Sequence, residues 1–180
     1  MSPSTQRYIN DCMYNMQYAR MEMLFGKSHK LKYKFIKIGN ARIRYFIDNT
    51  SCLSLNGDPN LPNAGYNVYE NRIFINDNLE KLGKEIVKGA ILHELGHKLN
   101  QHFLFKKNGK SLSKTKLIKQ EIEADKYCVD HGGGPGIKLV LSQVVKKYIE
   151  KGIPLDNDAV KTTRQRIRLI DKQLKARKTK

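Results

Sequence analysis

The chain has 180 residues, enough for one domain with a sizeable core, and 39% hydrophobic with 28% charged residues is ordinary for a globular protein. Thirty-four Lys and Arg against 17 Asp and Glu leave a net charge of +17, which disfavours self-association and favours nucleic acid or an acidic protein as a partner of the basic surface. No apolar run approaches the roughly 20 residues that span a bilayer, and no leader pattern opens the chain, so a monomeric, cytoplasmic protein without a membrane span is expected.

The three cysteines, Cys12, Cys52 and Cys128, are odd in number and lack paired spacing, which points to free thiols rather than a disulfide framework. Ser4 to Phe25 reads as a helix stopped by Gly26, with Ile9, Met13, Met16 and Met23 on one apolar stripe. Tyr33–Ile38 and Ala41–Ile47 read as two strands joined at Gly39-Asn40, a hairpin. Arg42 and Arg44 alternate with apolar residues in the second strand and fall on a solvated face. Asp48 to Tyr69, rich in Asn, Gly, Pro and Ser, reads as a long loop. Asn71–Asn76 reads as a short strand carrying Ile73, Phe74 and Ile75.

Asp77, with Glu80 three residues on, forms a capping-box pattern for a helix expected to run to about Phe105. Inside it lies His93-Glu94-Leu95-Gly96-His97. Four residues are little more than one helical turn, so His93 and His97 share a face and can bind one metal ion. Glu94 follows the first of them and is placed to act as a base toward water at that metal. Gly89 and Gly96 leave room for another element to approach closely.

A helix capped by Ser113 is expected from Lys114 to about His131. It carries Glu121-Ile122-Glu123-Ala124-Asp125. A catalytic zinc site takes three protein ligands, and Glu121 can be the third. Asp125, one turn on, can orient a ligand histidine. Glu123 faces elsewhere and is the weaker ligand candidate. His102 is five residues past His97, and the six-residue spacing of a third metzincin histidine falls on Phe103, so that pattern fails. Cys128 reads as core. Gly132 to Gly136 reads as a turn, followed by helices from Ile137 to Lys151 and from Asp158 to about Lys175, the last strongly basic.

Together these residues resemble the soluble core of HtpX-like zinc peptidases, the gluzincins, whose minimal forms are the minigluzincins. The resemblance covers roughly Asn71 to Gln173 and rests on His93-Glu94-Leu95-Gly96-His97, Glu121 to Val129 and Gly133-Gly134-Pro135. Arg166-Ile167 matches an Arg-Ile pair of that family, but Val160-Lys161 stand where His-Pro would be. The short spacing from His97 to Glu121 also resembles ImmA/IrrE-type metallopeptidases. The resemblance implies an α+β, zincin-like fold with a small antiparallel or mixed sheet packed on the active-site helix and further helices. It also implies that the strand Ile73-Phe74-Ile75 is the sheet edge that receives an extended substrate.

The expectation is a zinc endopeptidase on protein or peptide substrates, with one Zn2+ per chain held by His93, His97 and Glu121. Zinc polarises the scissile carbonyl and acidifies water, and Glu94 moves the proton. Tyr127, His131 and Arg166 are the candidates for stabilising the oxyanion. The alternative is a latent or inactive zinc-containing module that docks on nucleic acid or an acidic protein. The whole is expected as one domain, 1–180, comprising an N-terminal helix (1–26), sheet and long loop (27–76), metal helices (77–131) and C-terminal helices with a basic tail (132–180).

Overall fold

The computed structural model describes residues 32–47, 64–67, 72–102 and 112–179. The expected helix from Ser4 to Phe25, Cys12, Cys52 and most of the Asp48–Tyr69 segment lie outside them. The described residues form an α+β arrangement, a four-stranded mixed sheet beside a layer of helices.

β1 (Lys32–Ile38) and β2 (Ala41–Ile47) make the expected hairpin, in register from Lys32↔Ile47 to Ile38↔Ala41. β4 (Arg72–Ile75) runs parallel to β2, and β3 (Ala64–Asn67) pairs antiparallel with β4, giving the order β1-β2-β4-β3. A parallel neighbour needs a long connection, and the segment between β2 and β4 supplies it. That segment reads as loop in the sequence, yet it contains β3. Ala64-Gly65-Tyr66-Asn67 has little strand propensity, and pairing with β4 overrides it.

The strand expected as the substrate edge lies inside the sheet. β4 is not an edge strand: it is flanked on both sides, and Ile73, Phe74 and Ile75 are buried. Substrate therefore cannot add to β4. Among the described residues the edge on that side is β3.

The segment expected as one helix from Asp77 to Phe105 is broken. α1 (Asp77–Glu80) is capped by Asn76, whose side chain accepts from the Leu79 N–H at 2.9 Å, one residue earlier than the capping-box pattern places it. Gly83, at φ +103°, then separates α1 from α2 (Lys84–Leu99). α2 ends at Leu99 because Gln101, at φ +51°, reverses the chain. The N–H groups of Gln101 and His102 return to the carbonyls of Lys98 and His97, a Schellman closure.

α3 (Lys114–Asp130) is capped by Ser113 as expected, and Gly132 at φ +79° closes it with the same Schellman pattern. α4 (Gly134–Glu150) starts three residues before its expected beginning. Gly134, Pro135 and Gly136 are its first turn rather than a free turn, and Pro fits the first helical positions because its missing N–H is not needed there. α5 (Asp158–Lys178) is the last helix among the described residues, with Val160 and Ile170 fully buried.

α2 is the centre of the molecule. A Cβ on Gly89 would lie 2.3 Å from the Ile137 nitrogen, and one on Gly136 would lie 2.1 Å from the Glu85 oxygen, so α2 and α4 meet backbone to backbone. A Cβ on Gly96 would lie 2.9 Å from Cα of Ala124, so α3 is equally close. The core joins the inner sheet residues Ile36, Tyr45, Ile47, Ile73 and Ile75 to Ile91 and Leu92 of α2 and to Cys128, Ile137 and Ile170. Cys128 is buried, and its thiol donates to the Gly89 carbonyl at 3.1 Å.

Candidate metal centre

The close packing of α2 on α3 brings His93 and His97 against Glu121. Nε2 of His93 and Nε2 of His97 are 3.0 Å apart, and each lies 3.4 Å from a different oxygen of Glu121. A tetrahedral metal with ligand bonds of about 2.0–2.1 Å has donor–donor edges of roughly 3.3 Å. The two imidazole nitrogens and the Glu121 carboxylate, which faces each of them with one oxygen, lie close to such separations, and these side chains could hold a metal ion. The Glu121 side chain is 37% exposed while that of His93 is 8% exposed.

Further side chains fix the ligands. Arg166 of α5 reaches Asp125 through Nε at 2.7 Å and Nη2 at 2.9 Å, and Glu121 through Nη1 at 2.8 Å. Its three nitrogens thus face carboxylates, and the guanidinium ties the ligand glutamate to α5. Asp125, in turn, lies 2.9 Å from Nδ1 of His93. That contact is an ion-pair approach and not a well-directed hydrogen bond, because the ring nitrogen has no aligned partner. Burial opposes ionisation of Asp125 and Glu121. The Arg166 and His93 cations overcome it and hold both carboxyls below their ordinary values.

Without metal the two histidines differ. Burial pulls His93 down, but the Asp125 and Glu121 carboxylates outweigh it and push the ring up to about 10. His97 is lowered to about 4 by burial and by the His93 charge. Burial pushes Glu94 up to about 7, against the pull of His93. The backbone of Tyr66 in β3 offsets part of that rise, so Glu94 lies between α2 and the sheet edge.

The other sequence candidates are placed differently. Tyr127 and His131 stack on one another, centroids 4.0 Å apart, at the end of α3, and His131 Nδ1 donates to the Tyr127 carbonyl at 2.8 Å. Neither ring is hydrogen-bonded to the three ligand side chains. Ile73, Phe74 and Ile75 lie in the sheet interior, as described above.

Sequence reasoning missed His102 and Glu123 as supports. Nδ1 of His97 lies 3.0 Å from Nδ1 of His102, and Nε2 of His102 lies 3.0 Å from Oε2 of Glu123. With Nε2 of His97 given to a metal, its Nδ1–H donates to His102, and the Nε2–H of His102 donates to Glu123. One tautomer set satisfies the whole chain. The signal was a histidine five residues after His97, but five residues reach back only if the helix ends at Leu99. Gln101 in the left-handed region causes that ending, and a Gln gives no warning of it. No protein-family model, curated protein or solved structure gives a significant match to this chain.

Proposed function

We propose that the protein is a zinc-dependent endopeptidase with a zincin-like site. The observation that carries this reading is the grouping of His93, His97 and Glu121, which could hold a metal through three side chains, with the buried carboxylate of Glu94 close enough to feel the charges of His93 and Glu121. Two imidazoles and one carboxylate suit zinc better than magnesium or calcium, which favour all-oxygen shells. A structural zinc site is usually closed by a fourth protein ligand, whereas a catalytic one keeps that position for water or substrate.

Zinc held by His93, His97 and Glu121 supplies Lewis acidity and makes water nucleophilic near neutral pH. Glu94 takes the proton of the attacking water and returns it to the leaving amine. Burial raises its proton affinity in the metal-free protein, the direction a base needs to take a proton from water. Asp125 and Arg166 hold His93 and Glu121 in place, and His102 and Glu123 hold His97. An extended peptide lies along β3, the outer strand beside Glu94, and uses its main-chain hydrogen bonds.

Glu94→Gln tests this reading. The variant retains one zinc per chain by elemental analysis and loses about 10²–10⁴-fold in peptide cleavage. Loss of zinc together with activity would show that Glu94 serves the metal shell and not the proton transfer.

A further inference from the structure

The peptidase site uses the inner side of the sheet and its β3 edge. The outer face of the β1–β2 ribbon has no part in it. Alternation sends Ile36, Ile43, Tyr45 and Ile47 inward to the core. Tyr33, Phe35 and Lys37 of β1, with Arg42 and Arg44 of β2, therefore share the opposite face, where Phe35 pairs with Arg44 and Lys37 with Arg42.

Tyr33 is 56% exposed and Phe35 is 44% exposed, unusual for rings on a sheet. The two rings meet edge to face, with centroids 5.8 Å apart, and cations lie beside them. The Arg42 guanidinium lies 3.9 Å from the Phe35 ring centroid, and that of Arg44 lies 5.9 Å from the Tyr33 centroid. Residues 32–47 contain five Lys or Arg and no Asp or Glu, so the ribbon is cationic on its own account. Lys34, on the inner side, is paired with Glu80. Among the described residues Lys37, Arg42 and Arg44 have no carboxylate partner.

We propose that this face binds single-stranded nucleic acid, stacking bases on Tyr33 and Phe35 and meeting phosphates with Lys37, Arg42 and Arg44. Sign of charge selects a polyanion. Aromatic rings that remain this exposed select unpaired bases, since bases stacked inside a duplex cannot reach them. A guanidinium resting on Phe35 argues against a membrane, because inserting that ring into hydrocarbon would carry the charge with it. Strands of seven residues span about 23 Å, which suits the short end of the roughly 4–16-nucleotide footprints of such platforms. This proposal does not rest on the peptidase reading.

The test is fluorescence anisotropy of the full chain with labelled dT and U 12-mers, a duplex of equal length, and phosphatidylserine–phosphatidylcholine vesicles. The single strands are expected to bind more tightly than the duplex or the vesicles, and the dT and U arms separate DNA from RNA as the source. Tyr33→Ala and Phe35→Leu are each expected to weaken binding about tenfold without changing its salt dependence. Arg42→Ala is expected to lower the salt slope by about 0.7. Phe35→Leu keeps an apolar side chain on an exposed site, and a circular-dichroism melt unchanged from wild type confirms the fold. Wild-type affinity in both ring variants, or equal affinity for duplex or vesicles, would overturn the proposal.

Discussion

His97 shows how a single ring acquires its orientation. Its Nδ1–H points to His102, and His102 is itself held by Glu123, so the His97 ring cannot rotate away without breaking a hydrogen bond to an anchored partner. Partners of this kind are worth about 10–100-fold in metal affinity. His102→Ala and Glu123→Gln are accordingly expected to weaken zinc binding by about that factor in a competition titration with a chromogenic chelator. Unchanged affinity in both would leave the chain of histidines without a role. His93 makes a second prediction. In the metal-free protein its ring is raised to about 10 and so carries a proton at pH 7, whereas a ligand nitrogen must be bare. His97, lowered to about 4, is already neutral. Zinc uptake at pH 7 therefore releases about one proton, and apparent affinity rises about tenfold per pH unit from 6 to 9. Calorimetry in buffers of different ionisation enthalpy measures that proton; zero release would contradict the assignment. At this scale the grouping of His93, His97, Glu121 and Asp125 was legible in the sequence, because helical spacing sets the face of each pair and ligand chemistry suggests that the two pairs meet. The Arg166 bridge to Glu121 and Asp125 was not, since it depends on how α5 crosses α3.

Helix α2 can carry the metal ligands because it is nearly enclosed, and glycine makes the enclosure close. A methyl group at Gly136 would meet the Glu85 carbonyl at 2.1 Å, and backbone cannot rotate aside as a side chain can. Alanine gains about 1 kcal/mol of helix propensity over glycine, but overpacking costs about 1–3 kcal/mol and more when nothing yields. Gly136→Ala is expected to destabilise the protein by about 2 kcal/mol net in urea unfolding. A stabilised variant would mean that α2 and α4 are not in backbone contact. The hairpin β1–β2 and the helices α3 and α5 were legible because their apolar periods and caps are strong. The break at Gly83 and the stop at Gln101 were not, because each turns on the backbone conformation of a single residue, and the start of α4 was not, because it depends on how Gly136 packs against Glu85 of α2. The substrate edge was misplaced for the same reason. Strand order is not written in Arg72–Ile75, and a parallel pairing with β2 put that strand inside the sheet.

Across the whole molecule, charge and metal act in different directions. The net charge of +17 strains the folded chain by self-repulsion and rewards anionic partners. A bound ion that grips α2 and α3 together opposes unfolding, by about 4 kcal/mol when free zinc exceeds its Kd a thousandfold. Chelation is expected to lower the Tm by several degrees and zinc to restore it, whereas an unchanged melt would mean that zinc does not bridge the two helices. Among the described residues no helix is long and apolar enough to cross a membrane. The measurement that bears most directly on the central claim is cleavage of a mixed library of end-blocked peptides by the zinc-loaded chain, with Glu94→Gln alongside. The account predicts internal cleavage by the wild type, abolished by chelation and reduced about 10²–10⁴-fold in the variant. Equal cleavage by both proteins, or none by a wild type that holds one zinc per chain, would contradict it.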